Sequence, residues 1–223
     1  MKTVITGTSR GIGLELTRLA LTAGHEVIAV ARQPEKAPGL LKLKGDFKDK
    51  LELVTADLQS TGAAETVAAM AQDWGVVDIL VNNAGIMRQG TSRADFADSY
   101  LVNAVVPFEV TKALLPFLQK SKAPKVAQIT SLMGSIGDNT SGGYYAYRSS
   151  KAALNMITMS LAKDHPNITF AVLHPGWVKT DMGGEQAPIA VTESAQGLWR
   201  VIEGLTPAKT GGFFDFRGKS LPW

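Results

Sequence analysis

Short runs of Val, Ile and Leu recur along the chain, separated by longer stretches of helical periodicity, and this alternation constrains the fold more than any other feature. A run of four to six apolar residues without polar alternation reads as a strand covered on both faces, which is the condition inside a parallel sheet. The pattern predicts strands near Lys2–Thr6, Glu26–Ala31, Leu51–Ala56, Ile79–Asn82, Val126–Ser131, Thr169–His174 and Gly212–Phe216. Helices are expected at about Gly11–Ala23, Gly62–Trp74, Arg93–Gln119 with a break near Pro107, Tyr144–Asp164 and Thr192–Leu205. Parallel neighbours need a crossover, and helices are the usual crossovers, so the expected class is α/β: a single-domain, doubly wound parallel sheet. Pro34 and Pro38 are read as flanking a loop, and Leu221–Trp223 as a tail.

At 223 residues the chain fits one domain, residues 1–223, and can bury a core without staples. It has no Cys and three His, which argues against a structural or catalytic metal site and agrees with a reducing, cytoplasmic setting. The first apolar run begins at Thr3, leaving no room for a leader, and no apolar stretch suggests a membrane-spanning helix. The net charge of +3 is mild, and Asp46 and Asp49 interrupt the lysines of Lys36–Lys50. That segment therefore reads as solvated helix and loop, not as a nucleic-acid surface.

Chemistry-bearing residues gather at the predicted carboxyl ends of the strands, where open α/β sheets build their ligand crevice. After the first strand comes Thr6-Gly7-Thr8-Ser9-Arg10-Gly11-Ile12-Gly13, a turn in which backbone amides and a helix N-terminus can face a pyrophosphate. The second strand ends Val30-Ala31-Arg32, so the place where an acidic side chain would take a ribose 2′-hydroxyl holds Ala31. Arg10 and Arg32 could instead bind a 2′-phosphate by charge-assisted hydrogen bonds. Asp57-Leu58 follows the third strand, with a carboxylate for the adenine amino group or for a helix N-terminus, and Asn82-Asn83-Ala84-Gly85 closes the fourth where a ribose passes near backbone.

Tyr147 and Lys151 are four residues apart on a predicted helix and so share a face. An ammonium beside a phenol would favour the phenolate and make Tyr147 an acid or base usable near neutrality. Tyr144 has Arg148 at the same spacing, but a guanidinium does not release its proton in a protein and cannot relay one.

Taken together, these motifs resemble the short-chain dehydrogenase/reductase family over nearly the whole chain. Carrying the likeness are Thr6-Gly7-x3-Gly11-x-Gly13, Asp57-Leu58, Asn82-Asn83-Ala84-Gly85, Asn103, Ser131, Tyr147-x3-Lys151 and Pro175-Gly176-Trp177-Val178-x-Thr180. Within the family, Ser141–Arg148 and His174–Trp177 are similar to the branch of sniffer-type carbonyl reductases and bacterial C-factor signalling proteins. The resemblance implies a Rossmann fold with strand order 3-2-1-4-5-6-7, a catalytic Asn103, Ser131, Tyr147 and Lys151, and NAD(P) binding. The cofactor contacts implied are Gly7, Ser9, Arg10, Gly11, Ile12, Gly13, Arg32, Asp57, Leu58, Asn82, Ala84, Gly85, Tyr147, Lys151, Pro175, Gly176, Val178 and Thr180. Ser131 lies sixteen positions before Tyr147, more than in many relatives, so Ser135 is a rival for its role.

The function expected from this reading is NADPH-dependent reduction of a small aldehyde or ketone, with NAD the lesser cofactor and Met133, Trp177 and Met182 around the substrate. Oxidation of an alcohol and a nucleotide-binding signalling role of C-factor type are the alternatives. A homodimer or homotetramer is expected, with no nucleic-acid or membrane partner.

Overall fold

Each Val- and Ile-rich run becomes a strand in the computed structural model, which describes residues 1–223. The strands are β1 (Lys2–Thr6), β2 (Glu26–Ala31), β3 (Leu51–Thr55), β4 (Ile79–Asn82), β5 (Lys125–Ile129), β6 (Thr169–His174) and β7 (Gly212–Asp215). The helices are α1 (Gly11–Thr22), α2 (Pro38–Phe47), α3 (Ala63–Gln72), α4 (Arg93–Tyr100), α5 (Val106–Leu118), α6 (Tyr145–Asp164) and α7 (Val191–Glu203). All neighbouring strands pair in parallel, in the order β3-β2-β1-β4-β5-β6-β7 that the family resemblance implied.

Successive side chains of a strand point to opposite faces, and here both faces are buried. Val27, Ala29 and Ala31 of β2 join one apolar cluster with Leu16 of α1, Leu40 of α2 and Leu198 of α7. Ile28 and Val30 join the other, with Val67 of α3, Leu114 of α5 and Leu161 of α6. Burying one such aliphatic side chain contributes about 1.5–3 kcal/mol, so each strand is held from both sides.

Several features differ from the sequence expectation. The segment read as a loop from Pro34 to Pro38 ends at once in α2, because Pro38 occupies the first helical turn, where its fixed φ and missing N–H cost nothing. β3 stops at Thr55, leaving Asp57-Leu58 just beyond the strand, and β5 runs Lys125–Ile129, so Ser131 lies past its end. The helix expected across Arg93–Gln119 is irregular at Leu101–Val105, where one wide π-turn joins α4 to α5, and Pro107 sits in the first turn of α5. The tail is not free: Leu221 N donates to Phe213 O at 2.9 Å and the Trp223 ring lies 5.6 Å from that of Phe213.

The run Arg93–Leu118 is 26 residues long with a mean hydropathy of 1.5 in its most apolar window, enough by length and composition to cross a membrane. Half of that window is buried, with α5 lying against α3 and the sheet, as in a core helix.

β1 pairs with both β2 and β4, and the chain leaves these neighbours toward opposite sides of the sheet. The carboxyl ends of β1 and β4 therefore open a crevice at the topological switch point.

Candidate active site

The crevice is floored by the turn after β1. Gly7 has φ 71° and its amide donates to Val30 O at 3.0 Å, which anchors the turn on β2. A Cβ on Gly7 would lie 2.8 Å from Ala84 Cα, and one on Gly13 would lie 2.2 Å from Gly7 O. Only glycine lets the turn seat on Asn83-Ala84-Gly85 and lets α1 start immediately behind it. α1 begins with no side-chain cap and no acidic residue in its first turn. The amides of its first turn and its positive dipole end are thus left for a ligand.

A cleft of about 480 Å³ runs from this turn to α6. Gly7, Ser9, Arg10, Gly11, Ile12, Gly13, Arg32, Asp57, Leu58, Ala84, Gly85, Tyr147, Lys151, Pro175, Thr180 and Met182 line it. A dinucleotide fits this donor set: an uncapped helix N-terminus for the pyrophosphate, Arg32 at the end of β2 with Arg10 in the glycine turn, and a glycine opposite a buried ammonium. Gly85 provides the last of these, since a Cβ there would stand 3.4 Å from Lys151 Nζ and 3.2 Å from Asn103 Oδ1.

Three expected cofactor residues do not face the cleft. Asn82 is the last residue of β4, and the pleat turns it inward, where Nδ2 donates to Thr111 Oγ1 at 3.0 Å and Pro107 O at 3.3 Å. Its neighbour Asn83 lines the cleft instead and ties the turn by donating to Thr6 O and Gly7 O, both at 3.0 Å. Val178 is buried and bridges to Ile189, while Gly176, with φ 84°, lies so close to Ile189 that a Cβ would be 2.4 Å from its Cδ1. Of the expected substrate residues, Trp177 is exposed with Nε1 donating to Gly183 O at 2.8 Å, and Met133 is half-buried with its amide on Ser131 Oγ at 3.1 Å.

Ser131, Asn103 and the α6 pair Tyr147 and Lys151 come from three different segments and are all buried. Ser131 is extended, with φ −145°, and opens a short 3₁₀ turn at Leu132–Gly134. Its rival Ser135 is also buried, but its Oγ accepts from Asp138 N at 3.0 Å within the following loop. Lys151 Nζ donates to Ile129 O at 2.9 Å and lies 6.0 Å from the Tyr147 ring centroid. Asn103 sits on the π-turn, where Oδ1 accepts from Ile86 N and Nδ2 donates to Ile86 O, both at 2.9 Å. Nδ2 also donates to Ser150 Oγ at 3.0 Å, which joins the π-turn to α6.

Burial dominates the protonation of the pair. It lowers the Lys151 ammonium from 10.5 to about 8 and pushes the Tyr147 phenol above its ordinary 10, partly offset by a hydrogen bond with the Ser131 hydroxyl. The expected lowering of the phenol by Lys151 is not what the geometry yields, because Nζ turns to a backbone carbonyl and the phenol is buried. A protonated tyrosine next to a lysine that titrates near neutrality can donate a proton and be recharged.

Sequence reading did not single out Lys179, Asp181, Thr130 or Ile86, which also line the cleft. Asp181 Oδ2 is 2.7 Å from Arg10 Nη1. No local pattern announces that pair, since the two residues meet only after β6 has been placed three strands away from β1.

A parallel sheet in this order, a glycine turn at its switch point and a buried Ser-Tyr-Lys cluster beside it define a nucleotide-dependent oxidoreductase. The chain belongs to the short chain dehydrogenase family, whose model matches residues 2–189. It is 46% identical to the C-signal of Myxococcus xanthus over 67% of this chain and 94% of that one. Among solved structures, the carbonyl reductase Sniffer of Drosophila melanogaster superposes with a TM-score of 0.94 at 33% identity, covering 100% of this chain and 99% of the other. An NADPH-bound carbonyl reductase from chicken fatty liver gives 0.94 at 31% identity, covering 100% and 94%.

Proposed function

We propose that this protein is an NADPH-dependent carbonyl reductase that converts a small aldehyde or ketone to the alcohol. The observation that carries the reading is the meeting of Tyr147, hydrogen-bonded to Ser131, and Lys151 at one end of a cleft whose other end holds Arg10 and Arg32 and no acid at position 31. When bound, the reduced nicotinamide supplies the hydride for the carbonyl carbon. The chain's residues do the rest: Ser131 Oγ fixes the carbonyl oxygen, and Tyr147 gives that oxygen its proton as negative charge develops there. Burial keeps the phenol protonated at neutral pH, the form the reductive direction needs, and Lys151, titrating at about 8, can return the proton. The carbonyl thus gains one hydride and one proton.

Gly7, Gly11, Gly13 and the first amides of α1 would hold the pyrophosphate, with Ser9 and Ile12 in the same turn. Arg32 with Arg10 would take the 2′-phosphate, and Asp57 with Leu58 would border the adenine. Met182 lines the cleft and is our choice among the expected substrate contacts, with Met133 and Trp177 outside it. A homodimer through α4, α5 and α6 is supported by the exposed Tyr100, Phe108 and Met156 on these helices and Val105 on the π-turn between α4 and α5. We place the protein in the cytoplasm. The similarity to a C-signal protein supports a second, signalling reading, in which nucleotide binding without turnover would suffice.

A panel of aldehydes and ketones with NADPH, followed at the reduced-nicotinamide absorbance band, tests the proposal. Turnover by the wild type, its loss in Tyr147→Phe and its near-retention in Tyr144→Phe are expected. No turnover of any carbonyl, with NADPH bound normally, would favour the signalling reading.

A further inference from the structure

The one ion pair that spans the cleft joins its two walls. Arg10 precedes α1 in the glycine turn, and Asp181 belongs to the segment after β6. Arg10 Nη1 and Asp181 Oδ2 are 2.7 Å apart, both side chains are more than two-thirds exposed (74% and 71%), and both residues line the cleft. The carboxylate stands on a tight turn, in which Gly184 N donates to Thr180 O at 2.8 Å and Gly183 N to Thr180 Oγ1 at 3.1 Å. The cleft holds three cations besides Lys151, namely Arg10, Arg32 and Lys179, and two acids, Asp57 and Asp181. Asp57 takes no part in any ion pair and instead accepts from Gln59 N at 3.1 Å. Asp181 is therefore the acid that occupies one of the cations expected to receive a phosphate.

We propose that Asp181 is a specificity-determining residue, which competes with the cofactor's 2′-phosphate for the Arg10 guanidinium. This rests on the NADPH reading above. A guanidinium bound to one carboxylate must give up that partner, wholly or in part, to serve a dianionic phosphate in the same place. A cofactor without a 2′-phosphate leaves the pair closed and meets no competition. Because the pair is exposed, its strength is that of a surface ion pair, and its removal should change affinity about two- to fivefold at low salt. Near 1 M salt, where the screening length is about 3 Å, the effect should fade.

Calorimetric titration of NADP⁺ and NAD⁺ into the full-length wild type, Asp181→Asn, Arg10→Gln and the double variant tests this without relying on turnover. Asp181→Asn should tighten NADP⁺ about two- to fivefold, leave NAD⁺ unchanged, and have no effect on NADP⁺ in the Arg10→Gln background. Unchanged NADP⁺ affinity in Asp181→Asn, an equal gain for NAD⁺, or the same gain without Arg10 would each overturn the proposal. Failure of the underlying cofactor reading looks different: the wild type would bind NAD⁺ as tightly as NADP⁺, and Arg10→Gln would leave NADP⁺ untouched. Asp181→Ser, equally exposed and also uncharged, should repeat the Asn result, and a variant-specific effect would overturn it.

Discussion

Replacing Lys151 with Met should abolish turnover and stabilise the fold. In the folded chain the ammonium is buried and its titration falls from 10.5 to about 8, which corresponds to a burial cost of about 3 kcal/mol for the charged form. Methionine removes that cost, keeps an unbranched chain of similar reach, and forfeits the bond from Nζ to Ile129 O, worth about 1 kcal/mol or somewhat more once the carbonyl is left alone. The net gain at pH 7 is about 1–2 kcal/mol, or about 2–8 °C in Tm for a domain of this size. The sign with pH follows from proton counts. Between about 8 and 10.5 the unfolded lysine holds a proton that the folded one has released, so wild-type stability rises with pH across that window. Below 8 both states are charged and the full cost is present. The variant's advantage should therefore be flat up to about pH 8 and shrink toward 10.5. Urea unfolding of both proteins at pH 7, 9 and 10.5, followed by circular dichroism, measures the difference directly, and other titrating groups cancel in it. A variant less stable than wild type at pH 7, or a gap that does not change with pH, refutes the reasoning.

Ser131→Ala should lower kcat by roughly 100-fold or more, whereas Ser135→Ala should leave kcat nearly intact and cost about 1 kcal/mol of stability through the lost bond to Asp138 N; steady-state kinetics beside thermal melts separate the two. Arg32→Ala, at an exposed position, should weaken NADP⁺ roughly tenfold and leave NAD⁺ unchanged, as read by titration at low salt. Ala31→Asp should repel a 2′-phosphate and offer an acceptor to a free 2′-hydroxyl, so the ratio of NADP⁺ to NAD⁺ affinity should fall; a ratio that stays put would count against the placement of the ribose at the end of β2.

The sheet was readable because strands buried on both faces leave an unmistakable trace: Val4-Ile5, Val27–Val30 and Phe170–Leu173 contain no residue that water must reach. α2 was only half readable, since the lysines of Lys36–Lys50 read as solvated helix and loop, and its bounds emerge only when the buried positions Leu40 and Leu43 are seen to share one face. The glycine turn and Tyr147-x3-Lys151 are local patterns, and the structure brings them to one cleft. Side-chain direction at a strand end is not local in that sense. Asn82 and Asn83 read alike, and only the hydrogen-bonding needs of Thr111 and the Pro107 carbonyl decide which of them turns away. The protonation of Tyr147 departs from the sequence expectation for a related reason, because spacing on a helix reports neighbours but not depth, and here depth outweighs the neighbour.

The π-turn at Leu101–Val105 has a consequence for how this chain tolerates change in length. A π-turn accommodates one residue more than an α-helix needs while leaving the helices on either side in phase. Deleting Val102 or Ala104 should let α4 and α5 fuse into one regular helix, with Val110, Leu114 and Leu118 still facing the sheet. What would vanish is the outward displacement that lets Asn103 reach Ile86 and Ser150. Between residues 101 and 105 a single surplus amino acid is thus carried for the site alone, and a chain one residue shorter should be a sound scaffold with its Asn103 contacts broken.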